Sequence, residues 1–289
     1  MKIAELLKKK RTFSFEVFPP KDGQPMEPLQ NTLSHLYKFN PDFISITYGA
    51  GGTNEGRSVE VCKLILESGV DVMPHFTCIG NTFDKVEQYA SNYLDIGIEN
   101  ILLLRGDLPE GWTGTKGDFE HASDLIGCFK EKHPNLCIGA AAYPEIHIES
   151  DTIDEDIQYL KLKQDLGAEF FTTQLCHDVH AYERFMNRIR SAGVTIPVIV
   201  GVMPIISRDG AIRMSLSNGV SIPAELSAIM GRYKDDAASF KEAGMEYTER
   251  LLGSYIDAGA EGIHLYTLNK YKDISEIIEL SGVLDSVTI

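Results

Sequence analysis

The stretch RTFSFEVFPP, residues 11–20, places a glutamate at the end of an apolar strand. Phe13, Phe15 and Val17 alternate with polar residues as far as Glu16, and two prolines then end the run. A carboxylate is costly to bury unless the fold gives it a partner or a task. Which of the two applies depends on the fold to which this strand belongs.

Further apolar runs of similar length follow along the chain. The eight runs cover residues 12–18, 43–49, 72–78, 100–107, 137–143, 170–175, 197–203 and 262–268. Helically spaced segments separate them, and several of these segments end in glycine, a common helix stop. Apolar strands that alternate with helices indicate parallel strands covered by helices. Eight such units in 289 residues predict an α/β fold, a single-domain (β/α)8 TIM barrel.

An open doubly wound sheet is the competing fold. It would more often carry a glycine-rich phosphate loop after its first strand, and the sequence has none there. Residues 205–260 are longer than one barrel unit needs and predict one or two extra helices. Residues 1–10 are amphipathic and predict a short helix beneath the first strand.

The amino-acid composition limits the classes of partner that the protein can bind and the cellular compartment that it suits. A net charge of −15 and a pI near 4.9 argue against nucleic acid or an anionic membrane as the main partner. The five cysteines form no C-x-x-C pair, which indicates a reducing, cytoplasmic compartment without a disulfide framework. No apolar run reaches the ~18 residues of a membrane span.

Polar side chains stand at the ends of almost all the predicted strands. In a TIM barrel the active site forms at the carboxyl ends of the strands, so these side chains should converge. They are Glu16, Thr47, Tyr48, His75, Thr77, Arg105, Gly106, Asp107, Tyr143, Glu145, His147, Gln174, Cys176, His177, Asp178, Tyr266 and Asn269. A ring of polar groups at one end of successive strands indicates a site rather than packing.

Two other chemistries have weaker support in the sequence. His75, His147 and His177 lie on different strands and could meet at a metal ion, but no H-x-H follows the first strand. Cys176 lacks the surroundings of a low-pKa nucleophile beyond its neighbour His177. Asp178 is typical of a helix N-cap. The sequence therefore predicts no metal site and no cysteine nucleophile.

Seven motifs at these strand ends resemble one family. FSFEVFPPK, SITYGAGG, PHFTCIG, LLLRGDLP, AAYPEIHIES, TTQLCHD and LYTLN occur in this order over about residues 10–272. Together they resemble 5,10-methylenetetrahydrofolate reductase of the single-domain bacterial type. The resemblance implies a flavoenzyme that binds FAD and reduces methylenetetrahydrofolate to methyltetrahydrofolate, with NADH or NADPH as a possible electron donor.

The resemblance also implies roles for individual residues. FAD contacts are implied for Tyr48, Ala50, His75, Arg105, Gly106, Asp107, Ala122, Tyr143, His147, Asp156 and Lys163. Thr47 stands where the family meets the nicotinamide, Gln174 matches a pterin contact, and Lys270 stands where a substrate-binding arginine is frequent. Arg105 and Lys163 are the cations that a diphosphate requires. Lys161 and Lys163 are two apart on a predicted helix, so at most one should reach the phosphates.

The same resemblance implies a catalytic role for Glu16, the carboxylate at the end of the first strand. It implies that Glu16 is the general acid that protonates N10 of the substrate and opens its five-membered ring. An acid that works near neutral pH needs a raised pKa, which a mouth covered by flavin and pterin would supply by desolvation. Asp107 is expected to stay ionised and to stabilise positive charge on the substrate.

Departures from the family pattern leave the electron donor open. QLCHD, residues 174–178, lacks the aromatic residues that are commoner there, so direct reduction by a nicotinamide should be weak. A ferredoxin, a flavoprotein or an iron–sulfur partner subunit is the alternative donor, and a partner-dependent electron-relay subunit is the alternative function. A metal-dependent barrel lyase or methyltransferase is a third interpretation, and a homo-oligomer is compatible with all three.

Overall fold

The computed structural model describes residues 1–48 and 55–287. Eight parallel strands form a closed barrel in which each strand pairs with the next along the chain and the eighth pairs with the first. The strands are β1 (Thr12–Val17), β2 (Phe43–Ile46), β3 (Asp71–Thr77), β4 (Asn100–Leu104), β5 (Cys137–Ala142), β6 (Phe170–Thr173), β7 (Val198–Val202) and β8 (Gly262–Tyr266). The predicted TIM barrel is therefore confirmed, and the open sheet is excluded.

Helices follow each strand on the outside of the barrel, and a further helix precedes β1. They are α1 (Ile3–Leu7), α2 (Glu27–Leu36), α3 (Glu55–Glu67), α4 (Phe83–Asp95), α5 (Ala122–Lys132), α6 (Ile153–Asp165), α7 (Val179–Ser191), α8 (Arg208–Ser217), α9 (Ala224–Arg232), α10 (Ala237–Asp257), α11 (Tyr271–Ser281) and α12 (Val283–Val287). A 3₁₀ turn at Tyr37–Phe39 follows α2. The segment between β7 and β8 holds α8 to α10, so it adds two helices to the one that a barrel unit needs, as the sequence predicted.

Side chains alternate along β1 between the face that packs against the helices and the face that points into the barrel. Phe13, Phe15 and Val17 belong to the apolar core between the barrel and its helices. Ser14 and Glu16, on the opposite face, contact His264 of β8 and therefore point into the barrel. Burying the apolar face against the helices leaves the glutamate at the inner, upper end of the strand.

The interior of the barrel is closed at its amino-terminal end. Ile3 of α1 packs there in a separate apolar cluster with Phe43, Met73 and Phe170 from the strands. At the other end Tyr266 crosses the barrel, since its hydroxyl donates to the carbonyl of Thr173 on β6 at 2.6 Å. The polar mouth therefore lies above a filled interior, as in other TIM barrels.

The predicted strands agree with the observed ones in number and place, but several end earlier. The run 43–49 ends as a strand at Ile46 and the run 100–107 at Leu104. Thr47 and Arg105 to Asp107 lie in the loops that follow. The residues predicted for the site stand mostly just beyond the strands rather than within them.

Candidate active site

Glu16 is buried at the barrel mouth between two imidazoles. One carboxylate oxygen, Oε2, lies 3.5 Å from Nε2 of His75 and 3.8 Å from Nε2 of His264. The carboxylate side chain is 12% exposed, so it retains access to the mouth. Nε2 of His75 is buried and finds no hydrogen-bond partner among the described residues. A buried polar atom of this kind indicates a place for a water or ligand atom.

The contacts of His264 fix the position of its ring protons. The hydroxyl of Ser14 donates to the carbonyl of Ile263, so it accepts from Nδ1–H of His264 at 2.7 Å. In the neutral ring Nε2 then carries the lone pair and accepts from the hydroxyl of Ser45 at 3.1 Å. The nitrogen that faces Glu16 is therefore the one that can take up a proton or give one to the carboxylate.

The pKa of Glu16 is lowered in this structure, and the rise expected under a covering of flavin and pterin stays a prediction. Burial has the largest single effect and raises the pKa of the carboxyl, but the polar contacts and charges of His264 and His75 together lower it below its ordinary value. Burial lowers the pKa of His75 as well. Glu16 is consequently ionised at neutral pH, and acid catalysis requires that a proton be delivered to it.

A second feature of the mouth is a cleft between the β4 and β5 ends and the helices α5 and α6. It encloses about 890 Å³ of space, part of it open to solvent. Its polar lining consists of Arg105, His121, Ser123, Tyr143, His147, Glu149, Ser150, Glu155, Asp156, Tyr159 and Lys163. Ala122, the first residue of α5, also lines it, and a helix N-terminus favours anions. Most of the residues predicted to bind the cofactor are thus brought together here.

The two cationic side chains of this cleft are held differently. Arg105 forms a two-pronged ion pair with Glu149, in which Nη2 lies 2.9 Å from Oε1. Lys163 is half-buried, and its ammonium group donates to the carbonyl of Ala141 at 3.0 Å. Burial lowers the pKa of Lys163 to about 8. Lys161, two residues earlier, is instead paired with Asp165 on the outside of α6.

Other residues that are predicted to contact FAD lie in or against the loop that follows β5. Asp156 accepts hydrogen bonds from the backbone N–H of His147 and from the hydroxyl of Ser150, so it holds this loop rather than standing free. The rings of Tyr143 and His147 contact edge to face at 4.6 Å between centroids. Burial raises the pKa of Tyr143 to about 12, which keeps its hydroxyl neutral.

Other predicted residues lie elsewhere around the mouth. The ring of Tyr48 packs against Phe76 and Tyr89, outside the barrel wall, so its side chain does not face the cleft. Thr47 is half-buried directly after β2. Gly106 has a φ of +85°, and a Cβ there would lie 2.8 Å from Ile79, so the position requires glycine. Ala50 lies outside the described residues.

The residues that are predicted to bind the substrate lie around the mouth and differ in their exposure to solvent. Asp107 is exposed beyond β4 and Lys270 is exposed at the start of α11. Gln174 is half-buried after β6, with its side-chain amide bonded to Asn218 at 2.8 Å. Asn269, also at the mouth, bonds both backbone groups of Phe18 and so joins the loops after β1 and β8.

The residues that follow Gln174 are buried. Leu175 is 1% exposed, Cys176 1% and His177 2%. His177 bonds the hydroxyl of Ser215 on α8, and burial raises the pKa of the Cys176 thiol to about 11. The structure thus confirms neither a reactive thiol nor a metal-ligating role for this pair. Asp178 accepts from the N–H of His180 and caps α7, as predicted.

The described residues contain neither a metal-binding cluster nor a membrane-spanning helix. Within the described ranges, no three His, Cys, Asp or Glu side chains are grouped so that they could hold a metal ion. None of the helices described is both long and apolar enough to span a membrane.

Three residues that matter here were not predicted from the sequence. His264 lies in an apolar run, Glu149 follows a strand as an ordinary loop carboxylate, and Asn218 lies far along the chain in the loop after α8. For His264 a signal existed: it stands two residues before Tyr266 and must share its face of the strand.

Comparison with known proteins identifies the family. The sequence matches the profile described as methylenetetrahydrofolate reductase over residues 2–282. The chain belongs to the methylenetetrahydrofolate reductase family. It is 35% identical to 5,10-methylenetetrahydrofolate reductase of Salmonella typhimurium, covering 93% of this chain and 90% of that protein. It is also 35% identical to methylenetetrahydrofolate reductase 1 of Schizosaccharomyces pombe, covering 99% of this chain and 49% of that protein.

The chain therefore spans about half the length of the eukaryotic reductases of this family that it matches. Among solved structures, it resembles an uncharacterised protein from Clostridium thermocellum described as binding two copies of 5-methyl-5,6,7,8-tetrahydrofolic acid. The TM-score is 0.66 at 16% identity, and the match covers 96% of each chain. This similarity supports the barrel fold.

Proposed function

We propose that the protein reduces 5,10-methylenetetrahydrofolate to 5-methyltetrahydrofolate, with FAD as cofactor and Glu16 as general acid. Family membership over residues 2–282 supports the reaction. The observation that carries the assignment within this chain is the carboxylate of Glu16, buried at the mouth with one imidazole on each side. A group in that setting can exchange a proton with a bound substrate while water is largely excluded.

The cleft between α5 and α6 has the chemistry that FAD requires. Arg105 and Lys163 would hold the diphosphate, and the N-terminus of α5 at Ala122 would add backbone N–H groups. Nε2 of His75, 3.5 Å from Oε2 of Glu16 and without a hydrogen bond among the described residues, would bond a heteroatom of the ring system. When bound, FAD supplies the hydride that the substrate accepts.

Proton delivery falls to residues inside the barrel. Glu16 would protonate N10 of the folate, which opens the five-membered ring and leaves a cation that accepts hydride. Since the pKa of Glu16 is lowered in this structure, its proton must be restored, and a protonated His264 would carry one at Nε2, 3.8 Å from the carboxylate. In the neutral tautomer that Ser14 favours, Nε2 holds a lone pair, so it would take up a proton before passing one to Glu16.

The loops around the mouth would supply the residues that stabilise positive charge on the substrate and hold the substrate in place. Asp107 is exposed at the end of β4, where a carboxylate would stabilise the cationic intermediate. Gln174 would bond the pterin, and Lys270 would attract the glutamate carboxylates of the folate. Thr47 lies directly after β2, at the position proposed for the nicotinamide.

Anaerobic reduction of the purified protein tests the proposal. The protein should carry FAD, and its flavin absorbance should bleach when methyltetrahydrofolate is added, which is the reverse reaction. NADH and NADPH are added in separate samples to identify the donor. Protein that contains FMN, or that binds FAD without responding to methyltetrahydrofolate, would contradict the assignment.

A further inference from the structure

The side-chain amide of Gln174 is one link in a chain of hydrogen bonds that runs from β6 to the end of α8. Its Oε1 accepts from the backbone N–H of Leu175 at 2.8 Å, and its Nε2 donates to Oδ1 of Asn218 at 2.8 Å. Nδ2 of Asn218 in turn donates to the carbonyl of Met214, also at 2.8 Å. Two side-chain amides are thus joined in series between two backbone groups.

The two backbone groups fix the direction of the whole chain. The N–H of Leu175 can only donate, so it requires the oxygen of Gln174. The carbonyl of Met214 can only accept, so it requires the NH₂ group of Asn218. Rotating either amide by 180° would therefore break two hydrogen bonds and place like groups against each other.

This arrangement leaves Gln174 with one free N–H and one free lone pair in a defined order. An adjacent donor and acceptor match the edge of a cyclic amide, which presents the complementary pair. Apolar side chains stand beside the amide: Leu175 packs in one cluster with Met203 and Val220, and Tyr266 packs against it. The orientation of the amide therefore suits a heterocycle that is recognised along one polar edge.

Asn218 is itself held in place from two sides. It is the C-cap residue of α8, with its backbone N–H bonded to the carbonyl of Met214. Three residues later the backbone N–H of Ser221 donates to Oε2 of Glu145, in the loop after β5, at 3.1 Å. The loop that carries Asn218 is therefore tied to the mouth.

We propose that Asn218 is a positioning residue that sets the amide orientation of Gln174 for recognition of the cyclic amide edge of the folate substrate. The inference rests on the proposed function, because it takes Gln174 to be the group that meets the pterin ring. Asn218 need not touch the substrate. Its effect passes through Gln174, and this separates it from a residue that only stabilises the loop.

A double-mutant cycle tests this coupling. Affinity for methyltetrahydrofolate is measured by flavin bleaching at equilibrium in wild type, Asn218→Ala, Gln174→Ala and the double variant. Asn218→Ala should weaken folate binding about tenfold, since a free amide is no longer held in the productive orientation. In the Gln174→Ala background the same substitution should change folate affinity by less than about twofold.

Two controls separate orientation from loss of structure. Asn218→Asp keeps an oxygen to accept from Gln174 but loses the donor to Met214, so it should retain folate affinity better than Asn218→Ala. FAD affinity should be equal in all variants, because the cleft between α5 and α6 is not altered. An unchanged affinity in Asn218→Ala, or an equal loss with and without Gln174, would overturn the inference. Wild-type protein that holds FAD but binds no folate would instead refute the proposed function.

Discussion

Replacing Lys163 by glutamine tests how the cleft holds the cofactor. Lys163 is half-buried on α6, its ammonium group donates to the carbonyl of Ala141, and desolvation lowers its pKa to about 8. The cation is therefore present below pH 8 and is lost as the pH rises through that value. Since a diphosphate is bound by cations, FAD affinity should fall over the same range.

The size of the effect follows from the titration. With a pKa of about 8, roughly 90% of Lys163 is charged at pH 7 and roughly 10% at pH 9, so the Kd of wild type for FAD should rise about ninefold. Removing a charged hydrogen bond of ~1.5–3 kcal/mol would weaken binding ~10- to 150-fold at pH 7 in Lys163→Gln. The variant should also lose the pH dependence. His147 and Tyr143 titrate outside this range, because burial lowers the pKa of the first and raises that of the second to about 12.

The measurement is the quenching of FAD fluorescence by apoprotein between pH 7 and pH 9. Lys161→Gln is the matched control, because Lys161 is on the same helix but is paired with Asp165 away from the cleft. It should bind FAD as wild type does and keep the pH dependence. A flat profile in wild type, or equal losses in the two lysine variants, would refute the reasoning.

Two further predictions concern the mouth. Glu16→Gln should retain FAD but reduce methylenetetrahydrofolate ~10²- to 10⁴-fold more slowly, as expected for a lost general acid; stopped-flow reoxidation of reduced enzyme by the substrate measures this, and a near wild-type rate would remove Glu16 from the mechanism. The thiol of Cys176, 1% exposed and with a pKa raised to about 11, should resist iodoacetamide at pH 8 in the folded protein, and Cys176→Ala should keep folate reduction within about threefold; rapid labelling detected by mass spectrometry would show that the thiol is accessible.

The fold could be predicted because the same pattern, a short apolar strand followed by a helical segment, repeats along the sequence. Each strand is short, apolar and followed by a helical segment, so an error at one unit does not change the count. The ends of the strands were less predictable. Thr47 belongs to the predicted run 43–49, but β2 ends at Ile46, although the backbone N–H of Thr47 still donates to the carbonyl of Val17. Whether a residue still pairs depends on the neighbouring strand, which the local pattern does not contain.

The site was predictable where its residues stand at strand ends and unpredictable where they act through partners. Arg105 and Lys163 converge as expected, but the sequence did not reveal that Glu149 pairs with Arg105. The sequence also did not reveal the groups that lower the pKa of Glu16 in this structure. His264, 248 residues further along the chain, lies 3.8 Å from the carboxylate, and this contact exists only once the barrel has closed.

We expect the choice of electron donor to depend on residues 175–177. In this structure Leu175, Cys176 and His177 are each at most 2% exposed, so they offer no surface on which a nicotinamide could stack. Each missing aromatic contact removes ~0.5–1.5 kcal/mol, and two or three would weaken nicotinamide binding by roughly one to a few orders of magnitude. Pterin binding should suffer less, since Gln174 keeps a directional hydrogen-bonding edge. We therefore expect methyltetrahydrofolate to bleach the flavin readily in anaerobic stopped-flow, and NADH or NADPH to do so slowly unless a ferredoxin or a flavoprotein partner is added. Fast, saturable bleaching by micromolar NADH alone would show that the nicotinamide finds its contacts elsewhere at the mouth.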